Sequence, residues 1–196
     1  MERIHLVLVG GFAECPLVQA AMKRNFPNKR VIIPEDADMS VLKGAVLFGH
    51  KPDYIASRVM RVSYGTKTTP LFDPEKHEQQ RKYTSNGEVR CKNLICEIIK
   101  KDESVPLGTK VNHKYGTTVP NQTAMTIDMY ASDKEKPMYV DEDGCVLIGT
   151  AEIEIPFPSE ETRDLSVEYI FGNTEISMTA TEELHGTKCE AVYKLI

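Results

Sequence analysis

The chain has 196 residues, 41% of them hydrophobic and 27% charged, with a formal net charge of −5 and a pI near 5.6. That apolar share is enough to bury a core in one large domain or two small ones. The lysines and arginines are scattered, which excludes the basic footprint of a nucleic-acid binder, and no apolar run approaches the ~20 residues of a membrane-spanning helix. Met1-Glu2-Arg3 and the short apolar run after it are too brief for a signal peptide, so a cytoplasmic protein is expected.

Residues 4–9 form an apolar run that meets Gly10-Gly11, and a helix is predicted to begin near Cys15-Pro16. This reads as strand, glycine turn and helix. Glycines let backbone amides approach a ligand closely, and a helix N-terminus offers unpaired N–H donors that suit phosphate, so the unit suggests a nucleotide contact. Such a unit normally has parallel neighbours on both sides, which leads to the expectation that the chain begins inside a domain and leaves an edge strand and an apolar face uncovered. A short strand follows at 30–33, then a helix over 38–48 in which Val41, Leu42, Ala45, Val46 and Phe48 make an apolar face for a sheet. Gly44 would permit close approach of a neighbouring backbone, and Asp38 would complement the dipole of the first turn.

The pattern changes near residue 56. Strand signals follow at 59–64, 89–99, 125–130, 151–155, 165–171, 175–180 and 188–194. Turn chemistry separates them at Asn86-Gly87, Leu107-Gly108, Tyr115-Gly116, Asp143-Gly144 and Gly172-Asn173, a spacing that predicts an antiparallel sandwich or barrel. Residues 70–88, rich in charge, read as a long exposed loop. The predicted organisation is therefore an α/β part over 1–55 and a β part over 56–196, an α+β chain in two parts.

Chemistry-bearing clusters are sparse. Cys15, Cys91, Cys96, Cys145 and Cys189 are odd in number and form no paired knuckles, so neither a disulfide framework nor a zinc site is expected. On one strand over 89–99, Cys91 and Cys96 would point to opposite faces. Cys15 precedes a helix, but no motif pairs it with a base. His5, His50, His77, His113 and His185 lack metal-ligand spacing, and the carboxylates Asp141-Glu142-Asp143 and Glu160-Glu161 sit beside turns, where such groups are usually solvated. No metal and no catalytic residue is assigned. Met125, Ile127 and Met129 share one face of a strand, with Thr126, Asp128 and Tyr130 on the other. The methionine face is either sandwich core or a groove, since flexible methionines can line a pocket that takes varied apolar side chains of an extended peptide.

The segment from Leu6 to Gln19, with its Gly-Gly-Phe-Ala-Glu, resembles the adenosine-contacting strand–turn–helix in the actin-like ATPase domain of the heat-shock 70 kDa chaperones, and 38–46 resembles that domain's closing helix. Val105-Pro106, Thr109-Lys110, 121–127, Ile148-Gly149 and 172–180 resemble, in order, the β-sandwich substrate-binding domain of the same family, in forms closest to an atypical branch. The resemblance covers nearly the whole chain. It implies ATP or ADP near Gly10, Gly11 and Asp38, with Phe12 and Glu14 standing where typical members hold adenosine with a serine and an arginine. It implies a peptide groove around Thr66, Thr69, Tyr115, Met125 and Ile127, with the two threonines less apolar than usual. The family's phosphate loops, magnesium-ordering acids and catalytic lysine have no counterpart, so this chain is not expected to hydrolyse ATP by itself. The usual leucine-rich linker is replaced by Tyr54-Ile55-Ala56-Ser57-Arg58-Val59, and the helical lid has no counterpart. The expected partners are extended apolar polypeptide segments, and other proteins or a second copy through the incomplete α/β part, with no nucleic acid and no membrane. Two alternatives stay open: an ATP-binding protein, and an interaction scaffold for a folded partner.

Overall fold

A computed structural model describes residues 4–51, 54–171 and 174–196, so the predicted Gly172-Asn173 turn lies outside the described residues. The chain divides into two compact units, Met1–Ile55 and Ala56–Ile196.

In the first unit, β1 (His5–Val7) pairs in parallel with β2 (Arg30–Ile32) through His5–Arg30, Leu6–Val31 and Val7–Ile32. Helix α1 (Pro16–Asn25) starts where predicted, with a proline in its first turn, where a missing N–H costs nothing. Helix α2 (Ser40–His50) starts later than predicted because Asp38 turns its carboxylate onto the Met39 amide at 2.8 Å, and Ser40 donates to the Asp36 carbonyl. Asp38 therefore precedes the helix and does not lie in its first turn. Among the described residues the face of α2 predicted to pack on a sheet is open: Val41, Leu42, Val46 and Leu47 are 54–66% exposed, and a Cβ at Gly44 would meet nothing within 4 Å. Among the described residues of this unit, Ala13 and Ala37 are the buried apolar ones. Ile4, Val7 and Val9 of the first apolar run are 48–59% exposed, and Phe12 and Leu17 beyond it are each 80% exposed.

The second unit is built on two four-stranded antiparallel sheets. In the first, β4 (Ser63–Thr68), β7 (Leu94–Ile99), β10 (Ala124–Ser132) and β11 (Cys145–Glu154) run in the order β11-β10-β4-β7. In the second, β9 (Thr109–Gly116), β12 (Asp164–Phe171), β13 (Glu175–Glu182) and β14 (Lys188–Lys194) run in the order β14-β13-β12-β9. Period-2 alternation sends Leu165, Val167, Tyr169 and Phe171 from β12, and Ile176, Met178 and Ala180 from β13, into the same core as Tyr64, Ile99, Met129 and Ile153 of the first sheet. The two sheets thus share one apolar interior, and burying these side chains is the main driving force for their pairing.

Several local predictions are corrected. The run 59–64 is two strands, β3 (Ser57–Val59) and β4, because Met60 leaves the ladder to exchange backbone bonds with Asp102 and Glu103. The run 89–99 is broken at Asn93, whose φ of +60° ends β6 (Glu88–Cys91) before β7, so Cys91 and Cys96 lie on different strands. Tyr115 and Gly116 are not a turn but the end of β9, paired with Leu165 and Asp164. The predicted loop 70–88 contains β5 (Lys82–Ser85), hairpinned to β6 through Asn86-Gly87, both at positive φ as a two-residue hairpin turn needs. Arg81 fastens this segment by stacking 4.4 Å from the Tyr139 ring and pairing with Asp141, and the Glu78 amide donates to the Tyr139 hydroxyl. Asp141 and Glu142 are thereby engaged, not simply solvated: Glu142 also holds Lys134 at 2.6 Å. β8 (Ser104–Pro106) pairs with β3.

Candidate functional site

The β10–β4 ladder runs from Ser132–Ser63 to Met129–Thr66 and stops there. Beyond that point the two strands part company. β10 stays on β11, Asp128 opposite Thr150 and Ala124 opposite Glu154, while β4 stays on β7, Lys67 opposite Ile95 and Thr68 opposite Leu94. Register shifts mark the split on both sides, between Tyr64 and Gly65 and between Met129 and Tyr130, as bulges do where a sheet must bend. The result is a wedge whose two backbone edges face each other without a common ladder, bridged at its base by Lys67 Nζ and Asp128 Oδ2 at 2.6 Å.

A cavity of about 360 Å³ occupies this wedge. Its walls bring together Thr66 of β4 and Thr69 just beyond that strand's end, Met125 and Ile127 of β10, and Tyr115 from β9 of the facing sheet. All five peptide-site residues of the sequence analysis therefore meet at one place. The methionine face of β10 divides along the strand: Met129 is fully buried in the core, Ile127 is 5% exposed, and Met125 near the strand's start is half-buried and lines the cavity. The groove is a continuation of the core.

Its floor is polar. Thr66 is buried, and its hydroxyl lies 2.8 Å from that of Tyr115, which lies 3.4 Å from that of Tyr169. Burial pushes both phenols up, so they stay protonated and able to donate. Beside them His113 stacks on Tyr115, with its Nδ1 3.7 Å from the Cys96 thiol. Burial raises the Cys96 thiol, which favours its protonated form. Gln122 braces the rim, accepting from the Thr118 amide at 3.1 Å and donating to the Ala124 carbonyl at 2.7 Å.

Residues the sequence reading missed include Lys67, Arg90 and Lys114, which all line the cavity. Lys114 alternates with Tyr115 on a strand too polar to be recognised, and Arg90 lies in the run 89–99 that read as one strand, where no local pattern marks it as a cavity residue.

The predicted nucleotide residues lie in the first unit. Gly10 adopts φ +90° and donates its amide to the Ala37 carbonyl at 2.6 Å, which brings the glycine turn beside Asp38. Gly11 has open space around it, and Phe12 and Glu14 are exposed. The Gly10 N–H is thus already used, and the Asp38 carboxylate is on the Met39 amide.

No family model matches the chain. Heat shock 70 kDa protein 12A of Homo sapiens is 33% identical over 182 residues, which is 90% of this chain and 27% of that protein, and the Mus musculus protein gives the same figures. Heat shock 70 kDa protein 12B of Homo sapiens is 29% identical over 189 residues. The chain spans about a quarter, 27%, of the length of the curated relatives it matches. Over 90% of its length the chain is thus a homologue of heat shock 70 kDa proteins 12A and 12B, matched to a partial region of each.

Proposed function

We propose that the chain is a polypeptide-binding module related to the 70 kDa heat-shock chaperones, in which the wedge between β4 and β10 takes an extended segment. The observation that carries this is the divergence of the two strands after Thr66–Met129, which leaves facing backbone edges above the apolar side chains of Met125 and Ile127. An extended peptide supplies the missing ladder bonds and places alternate side chains on the methionine face. In this reading 56–196 is the counterpart of the family's substrate-binding sandwich, and 1–55 is a remnant of its actin-like ATPase domain.

A fluorescent heptapeptide with a leucine centre, titrated against the whole chain by anisotropy, is expected to bind saturably. Met125→Lys puts a charge on a half-buried apolar wall and is expected to weaken it roughly tenfold, since an unpaired ammonium there is poorly solvated. No saturable binding, or equal binding by the variant with its fold intact, sinks the proposal and favours the scaffold alternative.

A second reading, an adenine nucleotide at the glycine turn, is favoured by the juxtaposition of Gly10 and Asp38 through the Ala37 carbonyl. With the Gly10 amide engaged and Phe12 exposed, affinity is expected to be no better than roughly millimolar, near −4 kcal/mol. Calorimetric titration of ATP checks this. Micromolar binding would show that the turn still works as a nucleotide site.

A further inference from the structure

The cavity between β4 and β10 carries a charge opposite to that of the molecule. The chain has a net charge of −5, yet among the described residues three cations, Lys67, Arg90 and Lys114, line the cavity and no carboxylate does. Each cation has an acidic neighbour outside the lining: Asp128 at 2.6 Å from Lys67, Glu88 at 2.5 Å from Arg90 and Glu183 at 3.0 Å from Lys114. These pairs differ in how firmly they hold. The Lys67–Asp128 bridge spans the base of the wedge with its carboxylate 13% exposed, so it is a structural clasp. Lys114 is 74% exposed, and an exposed pair of this kind is worth little, so its ammonium can change partners at small cost. Arg90 gives Nη1 to the Thr69 carbonyl and Nη2 to Glu88, and its Nε has no acceptor, which leaves the guanidinium short of a full set of partners. Around them the threonine hydroxyls of Thr68, Thr69 and Thr126 add neutral donors.

Resting on the reading of this wedge as a peptide site, we propose that it selects extended segments that carry a carboxylate side chain beside their apolar one. The apolar side chain lies on Met125 and Ile127, and an aspartate or glutamate on the segment faces Lys114 and Arg90 at the rim. A lysine in the same place meets like charges across a partly desolvated groove, which is a repulsive element as well as a missing attraction.

Three labelled heptapeptides test this, sharing one leucine centre and flanked by aspartate, serine or lysine. By anisotropy on the whole chain the aspartate peptide is expected to bind roughly fivefold tighter than the serine peptide, with the lysine peptide weakest. The spread is expected to narrow as salt rises from about 50 mM to about 500 mM, because rim charges are screened. Lys114→Gln, on an exposed side chain that leaves the fold alone, is expected to bring the aspartate and serine peptides to near parity. Equal binding of all three, or preference for lysine, overturns the selectivity while leaving peptide binding in place. Failure of all three overturns both.

Discussion

Replacing Glu182 by alanine is expected to cost about 3 kcal/mol of stability, read as a lowered urea midpoint with unchanged slope. Glu182 ends β13 at an inward position and is fully buried. Its Oε1 lies 3.5 Å from Arg163 Nη1, and its Oε2 accepts the His185 amide at 2.6 Å and faces His185 Nδ1 at 3.3 Å. Arg163, only 11% exposed, also donates to the Phe157 carbonyl at 2.7 Å, so one carboxylate ties the 157–163 connection to the 183–186 turn. Alanine would leave the Arg163 charge buried without its counter-ion, the costly way to break such a pair. Burial by itself raises the Glu182 carboxyl, but the amides of His185 and Leu184 and the His185 ring outweigh it and hold the group below its ordinary value of 4.5. A lowered carboxylate stabilises the fold above the ordinary value, and that contribution is lost as pH falls through the native one. The gap between the wild type and Glu182→Gln should therefore be widest near neutral pH and close in acid. A gap that stays constant with pH would show that the charge contributes nothing.

The sandwich was legible where period-2 alternation is clean. In β12 the sequence Asp-Leu-Ser-Val-Glu-Tyr-Ile-Phe puts Leu165, Val167, Tyr169 and Phe171 inward, and no other periodicity competes. β9 was missed because its inward residues are Val111, His113 and Tyr115 between Lys110, Asn112 and Lys114, so two polar-capable rings stand where aliphatics would have signalled a strand. Glu182 was invisible for the same reason: a carboxylate at an inward position contradicts the pattern until Arg163 and His185 are seen beside it. The face of α2 misled in the opposite direction. Its apolar spacing is real, but Val41, Leu42, Val46 and Leu47 are exposed, because amphipathic spacing says what a helix offers to a neighbour and not whether that neighbour is present.

The groove was legible only in part. Met125 and Ile127 follow from alternation, and Thr66, Thr69 and Tyr115 came from the family resemblance. What brings them together is the point at which β10 leaves β4, and a register of that kind depends on long-range pairing that no local pattern encodes. The same holds for the cations: Lys67, Arg90 and Lys114 come from three separate strands, β4, β6 and β9, far apart in the sequence.

Gly65→Ala is the second substitution expected to be strongly felt, at about 2 kcal/mol, because an overpacked site must displace its neighbours. The reason is space, not backbone conformation. A Cβ on Gly65 would lie 2.6 Å from the Cys96 carbonyl oxygen and 2.8 Å from Ile95 Cγ1. Ile95 could turn, but the Cys96 carbonyl belongs to β7, whose pairing with β4 resumes at Gly65–Glu97 after the register shift. Relief therefore requires β7 to move away from β4, which strains the ladder on one side of the wedge. Gly65 also precedes Thr66, whose hydroxyl sets the groove floor through Tyr115. The variant should thus lose peptide affinity by more than Gly87→Ala, whose hairpin glycine has open space around it at φ +78° and lies outside the cavity lining. Denaturation and anisotropy on the two variants separate the effects: Gly87→Ala lowers stability through its positive φ alone, whereas Gly65→Ala lowers stability and binding together. Unchanged peptide affinity in a folded Gly65→Ala protein would mean that the divergence of β4 and β10 does not shape the site.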